Sequence, residues 1–354
     1  MTSEACAGLA PDGQPRVHAL GGPPLHGILR ASPEDFRVDE QLGFAPSGAG
    51  EHVMLRVEKR DANTGWVAAR LADLAGAARR DVGFAGMKDR FAVTRQWFSV
   101  GLAGRPEPDW SALDEPGVRV LEAVRHNRKL RRGALSANRF ELRVRDVTGD
   151  VQEFTARVDR LVRHGFPNLF GPQRFGREGG NLNAAQRLFD GTAGRVGREK
   201  RGLYLSAARS LLFNAVAGAR IADGSWQQAR DGEPLVLDGR RSFFVAEAGD
   251  AALPERLAAL EIHPSGPLWG RGGDLGDTPA GAYERACLAP YAAWREGLER
   301  FGLEADRRAL RARAVDLAWA LDGDVLELTF ELPAGCFATA LLREMVAPPP
   351  ARGR

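Results

Sequence analysis

Alternation of apolar and polar residues, the pattern of a half-buried β-strand, is the feature of this chain that most restricts its fold. It occurs early, in FRVDEQLGF (36–44) and GEHVMLRVEKR (50–60), and again in RFELRVRDV (139–147). It returns near the end, in DVLELTFEL (324–332), after a long stretch of different texture. The alternation predicts one strand-rich domain that is interrupted by an insertion and completed near the end of the chain.

Helical periodicity lies between these strands. WVAARLADLAGAA (66–78) places apolar residues on one face, and Asn63 or Thr64 can cap it. VQEFTARVDRLVRHG (151–165) follows Asp150 and can end at Gly165. The order of strands, helix, strands and helix predicts an α+β fold with a mixed or antiparallel sheet that carries helices on one face.

These changes in sequence pattern divide the chain into four segments. We predict a partly ordered N-terminal segment over 1–28, a first domain over 29–164 and 306–346, an inserted α+β domain over 165–305 and a disordered tail over 347–354. Within and after the insertion we expect helices over 183–189, 206–222 and 336–346, a hairpin turning at Asp238–Gly239, and a long glycine-rich loop over 262–281.

Composition and motifs weigh against several function classes. The chain has 354 residues, 44% hydrophobic and 27% charged, which is typical of globular proteins. Three scattered cysteines predict no disulfide framework, and six scattered histidines form no metal-binding pattern. No phosphate-binding or dinucleotide-binding glycine motif is present, so we expect neither a metal nor a nucleotide cofactor. The chain shows no membrane-length apolar run and no signal-peptide layout, and we expect a cytoplasmic protein, by default a monomer.

Positive charge is concentrated rather than high overall. The formal net charge is +3, but residues 119–145 contain nine cations and two acids. Such a segment is either a phosphate-binding face or an ordinary solvated charge run.

A single carboxylate, Asp89, lies in a short polar turn between two apolar strands, with Lys88 and Arg90 directly beside it. One interpretation is a salt-bridged turn, since Asp is a common turn residue. The other is a catalytic carboxylate that the two cations keep charged and that faces a polyanion. No Ser/His/Asp or Cys/His constellation offers another centre for chemistry.

Aromatic residues are interleaved with the basic ones, a combination typical of proteins that bind unpaired RNA bases. Taken singly, each aromatic residue favours packing in the core over base stacking. The aromatic residues concerned are Phe91, Trp97, Phe98, Phe140, Phe170 and Phe175.

FAGMKDRFAVTRQWFSV (84–100) closely resembles the signature around the catalytic aspartate of the TruD family of tRNA pseudouridine synthases. Further segments are similar to that family in the same order and cover most of residues 28–346. They are residues 33–72, RHNRKLRRGALSANRFEL (125–142), FPNLFGPQRFGREGGNL (166–182), SAARSLLFNAVA (206–217) and GCFATALLREM (335–345).

The resemblance implies a pseudouridine-synthase catalytic core over the first domain, and a family-specific TRUD domain as the insertion. It implies isomerisation of uridine to pseudouridine in tRNA, at position 13 in bacterial members, with the target base flipped out of its stack and with no cofactor or metal.

The resemblance also assigns residues. Asp89 falls on the catalytic aspartate, as nucleophile or base, and Arg30 on its basic partner. Phe140 falls on the aromatic that stacks on uracil, while Asn138 and Phe36 belong to neighbouring motifs. Phe91 replaces the histidine that bacterial relatives often carry. As further substrate-binding residues we predict Lys88 and Arg90, exposed and facing phosphate, together with Asn168, Arg128, Lys129 and Arg131.

Two other functions are weighed against this one. A tRNA-binding or folding chaperone would keep the fold without turnover. A glycosidase or nuclease would need a second placed carboxylate or a metal cluster. Glu40 is the nearest candidate for such a carboxylate, and we expect it on a strand surface instead.

Overall fold

The structure is a computed structural model that describes residues 9–113, 115–240 and 242–349, and its secondary structure is α+β as predicted. The predicted N-terminal segment and tail therefore fall partly outside the described residues. The strands are β1 (Leu25–Leu29), β2 (Phe36–Leu42), β3 (His52–Arg60), β4 (Val82–Phe84), β5 (Val93–Gly101), β6 (Val118–His126), β7 (Leu135–Gly149), β8 (Phe166–Pro167), β9 (Pro234–Leu237), β10 (Phe243–Val245), β11 (Ile262–His263), β12 (Ser265–Leu268), β13 (Asp306–Ala309), β14 (Arg311–Ala312), β15 (Val315–Asp322), β16 (Val325–Pro333) and β17 (Val346–Ala347). The helices are α1 (Thr64–Leu74), α2 (Val151–His164), α3 (Gly180–Phe189), α4 (Arg198–Ala222), α5 (Leu253–Ala258), α6 (Pro279–Leu288), α7 (Ala292–Arg300) and α8 (Ala338–Leu342).

Two compact units divide the chain. The sheet unit comprises Leu25–Asp150 and Val315–Gly335 together with the described residues from Ala347 onward. The helical unit comprises the described residues up to Pro24 together with Val151–Ala314 and Cys336–Val346.

The sheet unit is built on one large mixed sheet. Its strand order is β15-β16-β7-β2-β5-β3-β6, with β1 on β7 and β4 on β5. Neighbours run antiparallel except β2 and β5, which are parallel, with Arg37 opposite Val93. The late strand β16 pairs with β7 and places Phe330 opposite Phe140, so strands from both ends of the chain join one sheet as the alternation predicted.

Helix α1 and strand β3 form the core of the sheet unit together. Val67 and Leu71, one helical turn apart, pack with Val53, Leu55 and Val57, which alternate along β3. All five side chains are fully buried. This layer fixes the start of α1 against the strands that lead to Asp89.

Helices dominate the helical unit. Phe189 of α3, Leu212 and Val216 of α4, and Leu298 of α7 share its core. The predicted hairpin at Asp238–Gly239 is confirmed, since β9 and β10 pair antiparallel across it. The predicted glycine-rich loop over 262–281 is wrong at both ends, because β11 pairs with β9, β12 pairs with β13, and α6 begins at Pro279.

The chain passes from the sheet unit to the helical unit after residue 150 and returns after residue 314, whereas the predicted domain boundaries lie at 165 and 305. Helix α2 falls in the helical unit because its buried Arg157 donates hydrogen bonds to the carbonyl oxygens of Gly21 (3.2 Å) and Glu344 (2.9 Å). Strand β14 falls there because it pairs with β8. The domain boundaries themselves stay a prediction. Within the described ranges, no helix has both the length and the apolar character needed to cross a membrane.

Candidate active site

Asp89 lies in the loop between β4 and β5, and its carboxylate is partly exposed. The Arg30 guanidinium donates from Nη2 to Asp89 Oδ2 over 2.9 Å and lies over the ring of Phe36, 4.0 Å from its centroid. Arg30 directly follows β1 and has a φ of 60°, in the left-handed region that non-glycine residues seldom adopt. Ring, guanidinium and carboxylate thus fix one another, and the backbone strain lies where the site is assembled.

Three fully buried polar side chains hold the backbone of this loop from within the sheet unit. Lys59 Nζ donates to the carbonyl oxygen of Asp89 over 2.8 Å. The Thr64 hydroxyl accepts a hydrogen bond from the Lys88 amide over 3.1 Å and donates to the Gln96 side chain over 2.9 Å. Buried polar groups need partners, and these find theirs in the loop and in each other. The aspartate is therefore presented on a pre-organised loop.

The buried position of Lys59 changes its acidity. Burial lowers its pKa to about 8, although the negative charges of Asp89 and Asp61 act against that shift. The positive charge of Lys88 lowers the pKa of Lys59 further. The Lys59 ammonium, which donates to the backbone of Asp89, therefore loses its proton as the pH rises through about 8.

The two cations beside Asp89 bind other carboxylates. Lys88 pairs with Glu40, and their side chains are 7% and 0% exposed. Glu40 also accepts a hydrogen bond from the backbone amide of Trp97 over 3.1 Å. The expectations of an exposed Lys88 and a surface Glu40 are therefore wrong, since both side chains are buried as an ion pair. Arg90 is exposed, and its Nε lies 3.1 Å from Asp61 Oδ1.

Phe140 lies on β7, beside β2 and β16. Its ring stacks on Phe330 with centroids 5.1 Å apart and meets Phe36 edge-on at 6.1 Å. Asn138 is on the same face of β7, two residues earlier, and its Oδ1 is buried without a hydrogen-bond partner among the described residues. Through Phe36 and Arg30, these contacts connect Phe140 to Asp89. The ring of Phe140 is itself only 7% exposed.

The family model for tRNA pseudouridine synthase D (TruD) matches this chain over residues 15–188 and 181–345. The chain belongs to the TruD family. A tRNA pseudouridine synthase D from Methylococcus capsulatus is 51% identical over 336 residues, which cover 95% of this chain and 94% of that protein. One from Nitrosococcus oceani is 50% identical over 94% of each chain. A crystal structure assigned to TruD from Methanosarcina mazei shares the fold, with a TM-score of 0.69 at 18% identity over 94% of this chain and 96% of that chain.

Tertiary contacts divide the basic segment of this TruD chain into two classes. The outer cations are ion-paired, as in Arg125 with Glu107 (2.7 Å), Arg143 with Glu327 (2.8 Å) and Arg145 with Asp35 (2.7 Å). The cations of the loop 128–132 have no carboxylate partner among the residues that the structure describes. These loop cations are Arg128, Lys129, Arg131 and Arg132, all exposed.

Neutral contacts hold part of this cationic loop in place. Lys129 donates to the carbonyl oxygen of Arg80, and the Arg132 guanidinium lies 4.2 Å from the centroid of the Phe84 ring. Arg128 lies 5.9 Å from the centroid of Phe44. Positive charge in the segment is thus left available on the loop 128–132 rather than along the strands.

Asn168 lies in the helical unit rather than with Asp89. Its Nδ2 donates to the carbonyl oxygen of Ala309 over 3.0 Å, and its Oδ1 accepts from the Arg308 guanidinium. The side chain is buried. Both ends of its amide are therefore used within the helical unit, and substrate binding by Asn168 stays a prediction.

Sequence reasoning missed Lys59, Gln96 and the role of Glu40, although two of these carry a signal. Lys59 continues the series Val53, Leu55 and Val57 on the buried face of β3, and a charged residue in such a series indicates a buried partner. Glu40 continues the series Phe36 and Val38 on β2 in the same way. No described group of three or more His, Cys, Asp or Glu side chains could hold a metal ion.

Proposed function

We propose that this chain isomerises uridine to pseudouridine at position 13 of tRNA, with Asp89 as its catalytic carboxylate. The observation that carries the proposal is the carboxylate of Asp89, held by Arg30 at 2.9 Å on a loop whose backbone is bonded to Lys59 and Thr64, in a member of the TruD family. A rigid and partly exposed carboxylate with one fixed cationic partner suits a nucleophile or base.

The reaction exchanges one glycosidic bond for another. The target uridine leaves its stack at a cost of a few kcal/mol, which pocket contacts offset. Asp89 then attacks the ribose or the uracil, or removes the 2′ proton. The N1–C1′ bond breaks, uracil turns within the site, and C5 bonds to C1′. The proton on C5 is lost and N1 gains one, so no redox partner or group donor is required.

Phe140 and Asn138 would hold the base. Phe330 and Phe36 support the ring of Phe140, and the small exposed part of Phe140 would contact uracil. The unpartnered Oδ1 of Asn138 is a ready acceptor for a uracil N–H, and it would then no longer be an unsatisfied buried group.

The cationic loop 128–132, with the exposed Arg90, would contact phosphates and position the tRNA without reading its sequence. Since the cations of the loop 128–132 have no carboxylate partner among the described residues, binding should weaken steeply with salt. We further propose that the protein works in the cytoplasm as a monomer.

The test is pseudouridine mapping by carbodiimide treatment and primer extension on unmodified tRNA. Wild type is expected to form one pseudouridine, at position 13, whereas Asp89→Asn forms none and keeps its tRNA affinity. Asp61→Asn is a matched control, since Asp61 is a nearby exposed carboxylate that pairs with Arg90, and it should keep turnover. Equal conversion by Asp89→Asn would exclude Asp89 as the catalyst. Tight binding without turnover by wild type would favour the RNA chaperone.

A further inference from the structure

Exposed apolar side chains gather around Asp89. Within the described ranges, the large aromatic side chains that are exposed are those of Trp66, Phe91 and Phe243, and the first two lie close to the aspartate loop. Among the described residues, Met87 is the most exposed large apolar residue, at 61%, while Phe91 is 46% and Trp66 41% exposed. Single exposed apolar residues are ordinary, but a contiguous group marks an interaction surface.

Sequence position and one hydrogen bond place the three residues near the aspartate loop. Met87 and Phe91 are each two positions from Asp89, on opposite sides of it. Trp66 is two positions after Thr64, whose hydroxyl accepts from the Lys88 amide over 3.1 Å. The next residue of α1, Val67, is fully buried in the core of the sheet unit, which directs the neighbouring Trp66 away from that core.

We propose that Trp66, Met87 and Phe91 form a stacking platform for the unpaired bases of the nucleotides that adjoin the target uridine. The inference rests on the proposed function and extends it from the target base to its neighbours. Flipping a uridine out removes a stacking partner from the bases beside it, and aromatic side chains replace such partners for any base sequence. The thioether of Met87 adds a polarisable surface suited to a flat base.

Charge favours RNA over a protein as the occupant. Arg90, directly beside Phe91, is 63% exposed, and the cations of the loop 128–132 lack carboxylate partners among the described residues. An apolar protein surface placed here would desolvate the exposed Arg90–Asp61 ion pair, whereas a nucleic acid brings phosphates together with its bases. Bases on the platform and phosphates on the cations would engage the same strand.

The experiment compares intact tRNA with tRNA that carries an abasic nucleotide directly 5′ or 3′ of the target uridine. Affinities are measured in the Asp89→Asn background, so that the RNA is not converted. A Trp66→Ala/Phe91→Ala double variant is expected to bind intact tRNA about tenfold or more weakly, from the usual contribution of base–aromatic stacking. On at least one abasic tRNA the same substitutions should change affinity less than about twofold, because the stacking partner has already been removed.

Phe243→Ala is the matched control, since Phe243 is 48% exposed but belongs to the helical unit, and it should leave affinity unchanged. The platform would be refuted if the double variant lost equal affinity for intact and abasic tRNA, or lost no affinity for intact tRNA. A change in sedimentation of the free protein with unchanged tRNA affinity would also overturn it, in favour of a protein interface.

The two proposals fail in different ways. If wild type forms no pseudouridine while the double variant loses tRNA affinity only when the neighbouring base is present, the proposed function is refuted and the platform stands. Wild type that forms pseudouridine, together with losses that do not depend on the neighbouring base, would refute the platform alone.

Discussion

Replacing Glu40 by Gln tests the buried ion pair beneath the aspartate loop. The substitution keeps the size of the side chain and removes its charge, which leaves the 7% exposed ammonium of Lys88 without its carboxylate. Removing one partner of a buried pair costs about 3–5 kcal/mol, because the remaining charge stays desolvated. Lys88 directly precedes Asp89, and a displacement of the loop by about 1 Å would lower turnover about 100-fold.

The matched control is Glu327→Gln. Glu327 pairs with Arg143 across β16 and β7 of the same sheet, 2.8 Å apart, but both side chains are 51% exposed. An exposed pair contributes about 0–1 kcal/mol, because water already solvates both charges. We therefore expect Glu40→Gln to lower the opening free energy of β2 and β5 by at least about 2 kcal/mol more than Glu327→Gln does.

Hydrogen exchange read by mass spectrometry is the suitable assay, because it reports the opening free energy of β2 and β5 separately from the helical unit. A Glu40→Met/Lys88→Met double variant should regain most of the stability, since no buried charge remains, while turnover stays low. The reasoning would be refuted if Glu40→Gln and Glu327→Gln lowered the opening free energy of these strands equally.

Two other substitutions follow from the same site. Lys59 loses its charge in the folded protein as the pH rises through about 8, whereas a free lysine loses it near 10.5. Between these two pH values the unfolded chain therefore binds more protons than the folded protein. The stability that Lys59 contributes should therefore rise from pH 8 to about 10.5 while turnover falls, as the hydrogen bond to Asp89 loses its charge assistance. Denaturant titrations at pH 7 and 9.5 check this, since Lys59→Met should lack the rise in stability. Arg30→Lys keeps a cation but loses the planar group over Phe36, so single-turnover rates should fall about 10- to 100-fold. The free energy of unfolding should stay nearly unchanged, because the ion pair of Arg30 with Asp89 is partly exposed. A wild-type rate for Arg30→Lys would show that charge alone suffices.

Most strands and helices of the sheet unit were predictable because each is encoded locally. The alternation in β3 and β16 and the apolar face of α1 lie within single segments, and the structure confirms them. The loop predicted over 262–281 failed at β11 and β12, because these short strands are stabilised by partners elsewhere in the chain. Local patterns carry no information on such pairings.

The charged residues show the limit of sequence reasoning more sharply. Asp89 stood out because its flanking sequence is distinctive, but the two neighbouring cations were assigned to it by proximity along the chain. In the structure Lys88 pairs with Glu40 and Arg90 with Asp61, while Asp89 pairs with Arg30, the partner that the family resemblance implies. On a sheet whose adjacent strands come from distant segments, the ion-pair partner of a side chain need not be its neighbour in the sequence.

The sequence by itself determined the α+β class, the strands at both ends of the chain, the TruD family and Asp89 as the candidate catalyst, since these rest on local patterns and ordered motifs. Only the tertiary structure decided which cations are neutralised and which remain available. It also decided that Lys59, Thr64 and Gln96 hold the aspartate loop. The physical reason is that ion pairing and burial depend on distances between side chains, and folding fixes those distances.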